Sequence, residues 1–124
     1  MNSSGRHQVL FIDDDRFTRY ALERSLTPAL ADRYELSFVA SGAEAAVVLA
    51  GQPVDIVVAD QHMPDELGTD VLRAVSNQYP NGIRIILSSL SDAKSFADAI
   101  LVAHDILPKP VSYTHLTLPT ICSV

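Results

Sequence analysis

Four short stretches of this chain carry the groups best suited to chemistry. They are the triplet Asp13, Asp14 and Asp15, the lone Asp60, the hydroxyls of Ser88 and Ser89, and Lys109 between two prolines. Each follows an apolar run. Asp60 is the most pointed case, because it ends the run Val57, Val58, Ala59, and a charge beside a core is costly unless something pairs with it. If the four stretches meet, several carboxylates, a hydroxyl and an ammonium group share one small area. Carboxylates brought together repel, so either some take up protons or a cation sits among them. An oxygen-only ligand set, with no His or Cys cluster, favours a hard ion, Mg2+ above all. Such an ion with Lys109 and Ser88 makes a pocket for a small multiply charged anion, a phosphoryl group for example. Its transfer depends on positioning and charge neutralisation. Asp60, at the centre, would be the attacking oxygen.

Each stretch alone has a plainer reading. Three acids before a helix also serve as an N-cap with charges favoured by the helix dipole. A single Asp suits a turn, a single Lys is usually solvated, and a single Ser says almost nothing. The order of elements is what ties the stretches together.

Apolar runs at residues 8–12, 34–40, 54–59 and 83–88 read as strands rich in Val, Ile, Leu and Phe, and a short fifth strand falls around Ile106 and Leu107. Segments with helical spacing lie between them. In the first, Phe17, Tyr20, Ala21 and Arg24 step along one face, with the Arg24 stem able to cover apolar surface. The second begins with a cap at Ser41, the third carries Val71, Leu72 and Val75 inward, and the fourth carries Phe96, Ala99, Ile100 and Val102 or Ala103. Strict alternation with short links implies an α/β fold, an open parallel sheet wound on both faces with right-handed crossovers. Ligands of such sheets sit beyond the carboxyl ends of the strands, where the four stretches fall.

Composition sets outer bounds. At 124 residues the chain has room for one domain with a real core. A net charge of -6 argues against direct nucleic-acid binding, which needs a basic face. No run approaches the about 18 apolar residues of a membrane span, and the start, MNSSGRHQ, lacks a signal-type apolar stretch, so a cytoplasmic location is expected. The single cysteine, Cys122, excludes an internal disulfide.

The motifs VLFIDDDR, VDIVVADQHMPDELG, IRIILSS and ILPKP resemble those of the response-regulator receiver domain, in order and at that family's spacing over residues 8–110. Residues 1–7 are then a flexible N-terminus. The resemblance implies a doubly wound, five-stranded, flavodoxin-like receiver fold and phosphorylation of Asp60 by a sensor histidine kinase or phosphotransfer protein, with Mg2+ required. Carried over by position, Asp14 binds the ion directly and Asp13 supports it, while Asp60 gives a carboxylate oxygen and His62 its backbone carbonyl. Ser88 takes the hydroxyl position that moves to the phosphoryl group, and Lys109 pairs with a phosphoryl oxygen. Met63, Pro64 and Gly68 shape the loop after the acceptor, Gly68 by supplying a backbone conformation that other residues resist.

The chain departs from the family pattern at Ile106, where an aromatic switch residue is usual, so coupling through ring rotation is not expected. The stretch from Ala103 to Pro110, AHDILPKP, is similar to receivers attached to HDOD-type or, less closely, HD-GYP output domains. An output domain would then lie outside this chain. Leu90, two residues after Ser88, is expected to hinder the attacking water and lengthen the phosphoryl lifetime. A rival reading is a phosphohydrolase similar to haloacid dehalogenases, with Asp13 and Asp15 as its Asp-x-Asp pair. Phe17 stands where that family has Thr or Val, and there is no room for its cap and later acidic motif. A third reading is a degenerate receiver acting only as an interaction module.

After Pro110 the sequence VSYTHLTLPTICSV shows no helical periodicity. It resembles the translation of a transposase adaptor used in library preparation, so residues 111–124 are expected to be a non-native tail and the final helix of the fold to be missing. That loss should uncover apolar side chains along the first and fifth strands and favour aggregation.

Overall fold

The computed structural model describes residues 5–88, 97, 99 and 101–108. Strands and helices alternate as β1 (His7–Ile12), α1 (Arg16–Leu30), β2 (Tyr34–Val39), α2 (Gly42–Gly51), β3 (Ile56–Asp60), α3 (Gly68–Gln78), β4 (Ile83–Ser88) and β5 (Asp105–Pro108). Ala97, Ala99, Leu101 and Val102 are helical between β4 and β5, while Phe96 and Ile100 lie outside the described residues. The strands form one five-stranded sheet in the order β2-β1-β3-β4-β5, with every pairing parallel. The chain winds outward from β1 to β2, then reverses and continues from β3 to β5. The direction changes between β1 and β3, which opens a crevice at their carboxyl ends.

The strands are apolar throughout because the sheet is covered on both faces. On one face Leu10, Ile12, Val57, Ala59 and Ile86 pack with Ala45 and Leu49 of α2, Val71, Leu72 and Val75 of α3, and Ala99. On the other, Val9, Phe11, Ile56, Val58, Ile85 and Leu87 pack with Leu22, Leu26 and Leu30 of α1. The two sets alternate along each strand, as side-chain period 2 demands. On this face Val9 and Phe11 of β1 are buried and Leu107 of β5 is half-buried.

Two expectations about local structure change. Phe17, Tyr20, Ala21 and Arg24 face solvent, with Phe17 72% and Tyr20 59% exposed, whereas Leu22, Leu26 and Leu30 face the sheet. The guanidinium of Arg16 stacks 5.2 Å from the Phe17 ring centre and that of Arg24 5.7 Å from Tyr20. These cation–π contacts give the rings partners on the outer face. The i, i+4, i+8 leucine row is the stripe that meets the core. The second change is at β3, which starts later than expected and includes Asp60 as its last residue. The cap at Ser41 is present: its Oγ accepts from the Glu44 amide at 3.2 Å, and Glu44 Oε1 accepts in return from the Ala40 amide at 2.8 Å.

Candidate functional site

The register brings the carboxyl ends of the strands level. Ile12 pairs with Ala59, Asp60 with Leu87, and Ser88 with Pro108. Side chains that leave β1, β3 and β4 at those points share the crevice at the switch between β1 and β3.

The triplet after β1 divides its labour. Asp15 is the N-cap of α1: its Oδ1 accepts from the Phe17 amide at 3.0 Å and its Oδ2 from the Thr18 hydroxyl at 3.0 Å. The Thr18 hydroxyl, then the Phe17 amide, hold its carboxyl below the ordinary carboxylate value. Asp13 turns the other way. It is 2% exposed, its Oδ1 accepts from the Asp15 amide at 3.0 Å, and its carbonyl oxygen accepts from Arg19 Nη1 at 2.7 Å. The capping reading of this triplet therefore holds for Asp15 alone, and Asp13 stands apart from the cap. Asp15 is engaged as a cap and is not among the acids clustered with Asp13.

Asp60 is 4% exposed at the end of β3. Carboxylate oxygens of Asp13, Asp14 and Asp60 lie within 4.8 Å of one another, with Asp14 on the solvent side. Gathering three acids beside a core raises the cost of their charge, which a cation offsets. The donors are all carboxylate oxygens, a set that suits a hard divalent ion and fits Mg2+. The His62 imidazole is exposed and is not part of the cluster, and its amide donates to Asp60 Oδ1 at 3.4 Å. Ser88 is 3% exposed at the end of β4.

The loop from residue 61 to 68 fixes the backbone around Asp60. Met63 is buried in the core beside Ala59 and Leu72, Pro64 is exposed, and His62 and Leu67 form an antiparallel bridge across the loop. Gly68 shapes the loop for a reason other than the one expected. Its φ is not positive, since Gly5 alone among the described glycines has that conformation. A Cβ on Gly68 would instead collide with the Asp60 carbonyl oxygen and lie 2.9 Å from the Asp60 carbonyl carbon. The helix start must touch the backbone of Asp60, and only glycine leaves the space.

Sequence reasoning missed three residues that hold the site. Arg19 binds the Asp13 carbonyl, Gln61 Oε1 accepts from the Thr69 amide at 2.9 Å, and Glu66 Oε2 accepts from the Gly42 amide at 2.9 Å at the start of α2. All three act on backbone groups, six, eight and 24 residues away, and none belongs to a capping pattern readable from residue types. Ile106 pairs with Ile86 and packs half-buried against the core cluster. Ser89, Leu90, Lys109 and residues 110–124 lie outside the described residues.

The model of the response regulator receiver domain family matches residues 9–119. This chain belongs to that family. The receiver is 33% identical over 86 residues to the hydrogenase transcriptional regulatory protein HoxA of Cupriavidus necator, a match covering 69% of this chain and 17% of HoxA. It is 33% identical over 112 residues to the response regulator MprA of a Mycobacterium species, covering 88% of this chain and 46% of MprA. It therefore spans less than half the length of these curated relatives. Among solved structures, the signal receiver domain of an HD domain-containing protein from Pseudomonas fluorescens Pf-5 superposes with a TM-score of 0.81 at 30% identity, covering 93% of this chain and 91% of that one. The receiver is thus a signalling domain of two-component systems rather than a turnover enzyme. No helix among the described residues is long and apolar enough to cross a membrane.

Proposed function

We propose that this receiver accepts a phosphoryl group on Asp60 from the phosphohistidine of a sensor histidine kinase or phosphotransfer protein. The observation that carries the reading is the meeting of Asp13, Asp14 and Asp60 within 4.8 Å at the carboxyl ends of β1 and β3. Asp13, Asp14, Asp60 and the His62 carbonyl would hold Mg2+, which supplies neutralisation of the acids and of the incoming phosphoryl oxygens. An Asp60 oxygen attacks phosphorus in line as the bond from phosphorus to the donor imidazole nitrogen breaks. The packed floor of Ala59 and Met63 excludes water from below, and Arg19 keeps the Asp13 backbone in place.

Ser88 then hydrogen-bonds the phosphoryl group and Lys109 pairs with one of its oxygens. Leu90 shields the acyl phosphate from water. Half-buried Ile106, with no ring to rotate, passes the change onward differently from an aromatic switch. The likeness to the receiver of an HD domain-containing protein supports an HDOD-type or related output partner, and a cytoplasmic location suits a kinase donor.

Incubation with acetyl phosphate and Mg2+, read by intact mass, tests the acceptor. The expected result is one phosphoryl group per chain, absent in Asp60→Asn and absent without Mg2+. Undiminished labelling in Asp60→Asn would overturn the reading, and sustained turnover lost in Asp13→Asn alone would favour a hydrolase.

A further inference from the structure

Gln61 follows the proposed acceptor and is 0% exposed. Its amide N–H donates to the Leu87 carbonyl at 2.9 Å, its carbonyl accepts from the Gly68 amide at 3.0 Å, and its side-chain Oε1 accepts from the Thr69 amide at 2.9 Å. Leu67, at the N-cap position of α3, makes no side-chain cap bond. Gln61 therefore supplies, from outside the helix, the acceptor that a capping Ser or Asp ordinarily gives. These bonds close the loop on itself. His62 lies inside that loop, and Asp60 stands at its stem with an oxygen facing the His62 amide at 3.4 Å.

The other end of the same side chain is left over. Gln61 Nε2 is buried and has no hydrogen-bond partner among the described residues. A buried amide donor without a partner costs stability, so methionine would fill this place about as well if packing were the only demand. Retaining the amide makes sense if what it holds matters more than what it costs.

The geometry points to Gln61 as a positioning residue for the metal site: by capping α3 it fixes the turn that presents the Asp60 carboxylate and the His62 carbonyl to Mg2+. This rests on the proposed Mg2+-dependent acceptor, and the residue touches neither ion nor phosphoryl group. Side chains that orient metal ligands change affinity without binding the ion themselves. The orphaned Nε2 and the absent local cap together separate this role from simple packing.

The test compares the unaltered chain with Gln61→Met and Gln61→Glu by Mg2+ calorimetry, thermal melting and hydrogen exchange at the Thr69 amide. In Gln61→Met the Thr69 amide exchanges faster, Mg2+ binds about tenfold more weakly and the thermal midpoint moves by only a few degrees. Phosphorylation by acetyl phosphate recovers at saturating Mg2+, which a folding defect would not allow. Gln61→Glu keeps an acceptor for Thr69 and so keeps the amide protected, and its added charge beside the acids leaves Mg2+ affinity no weaker than in the unaltered chain. Unchanged Mg2+ affinity in Gln61→Met, despite faster Thr69 exchange, overturns the inference. So does weakened affinity in Gln61→Glu with the Thr69 amide still protected. If the unaltered chain binds no Mg2+, the underlying reading fails, and the inference falls with it.

Discussion

At the amino ends of the strands, acids meet bases and amides. Asp55 Oδ2 accepts from the Gln8 amide at 2.7 Å and lies 3.7 Å from His7 Nδ1, while Glu35 takes a bond from Gln8 Nε2 at 2.6 Å and lies 3.9 Å from Arg6. Arg84 closes the last strand pair: its Nε donates to the Val102 carbonyl at 2.8 Å and its amide to His104 Nδ1 at 2.9 Å. At the carboxyl ends the pattern inverts, and three like charges share a space of 4.8 Å. One end uses polar groups to close the sheet's margin. The other concentrates charge that folding alone does not call for, and a concentration of that kind is the usual mark of a functional site.

The contrast is most strongly broken by Gly68→Ala. The added methyl collides with the backbone of Asp60, which cannot swing away as a side chain end could. We expect a loss of about 1–3 kcal/mol in denaturant melts together with weaker Mg2+ binding. Equal stability of the variant would show that α3 can start elsewhere.

A milder change at the opposite end sharpens the contrast. Asp55→Ala removes an acceptor from the Gln8 amide at a half-exposed position, and stability should fall by about 1 kcal/mol. Mg2+ affinity should not change, because the charge lies at the far edge of the sheet. A matched fall in affinity would argue that the two ends are not independent.

The smallest effect is in pH. Burial, and after it the Arg84 guanidinium, push the His104 imidazole below its ordinary value of 6.5, and its Nδ1 accepts a bond that protonation would remove. The unfolded chain therefore binds this proton more readily than the folded one, so stability declines as pH drops below about 6.5 and levels off under the folded value. His104 is exposed, so the slope is shallow. Melts of His104→Asn across this range should lack it, and an identical slope in the variant would remove His104 as its source.

The sheet and its acidic edge were legible in the sequence because both are repeated patterns. Apolar runs separated by helical spacing give the order of elements, and acids just past two of those runs give the site. The face of α1 was not legible by the same reasoning. Phe17 and Tyr20 are apolar by type, yet both rings stay exposed, each beside an arginine one or four positions away, and the quieter row of leucines does the packing. Gly68 was recognised as a loop residue without its cause, since close approach to Asp60 exists only after folding. Gln61 and Glu66 carried no pattern, being a neutral amide and one more acid, and their partners are amides at the starts of helices, that of Gln61 in the helix that follows and that of Glu66 in a helix 24 residues back.

The Mg2+ affinity of the aspartate variants, measured by calorimetry, tests the account most directly. Asp13→Asn, Asp14→Asn and Asp60→Asn should each weaken binding by about tenfold or more, while Asp15→Asn, a helix cap, and Asp55→Asn, at the opposite edge, should bind as the unaltered chain does. Equal affinity across all five variants would contradict the claim that the carboxyl edge gathers its acids around an ion.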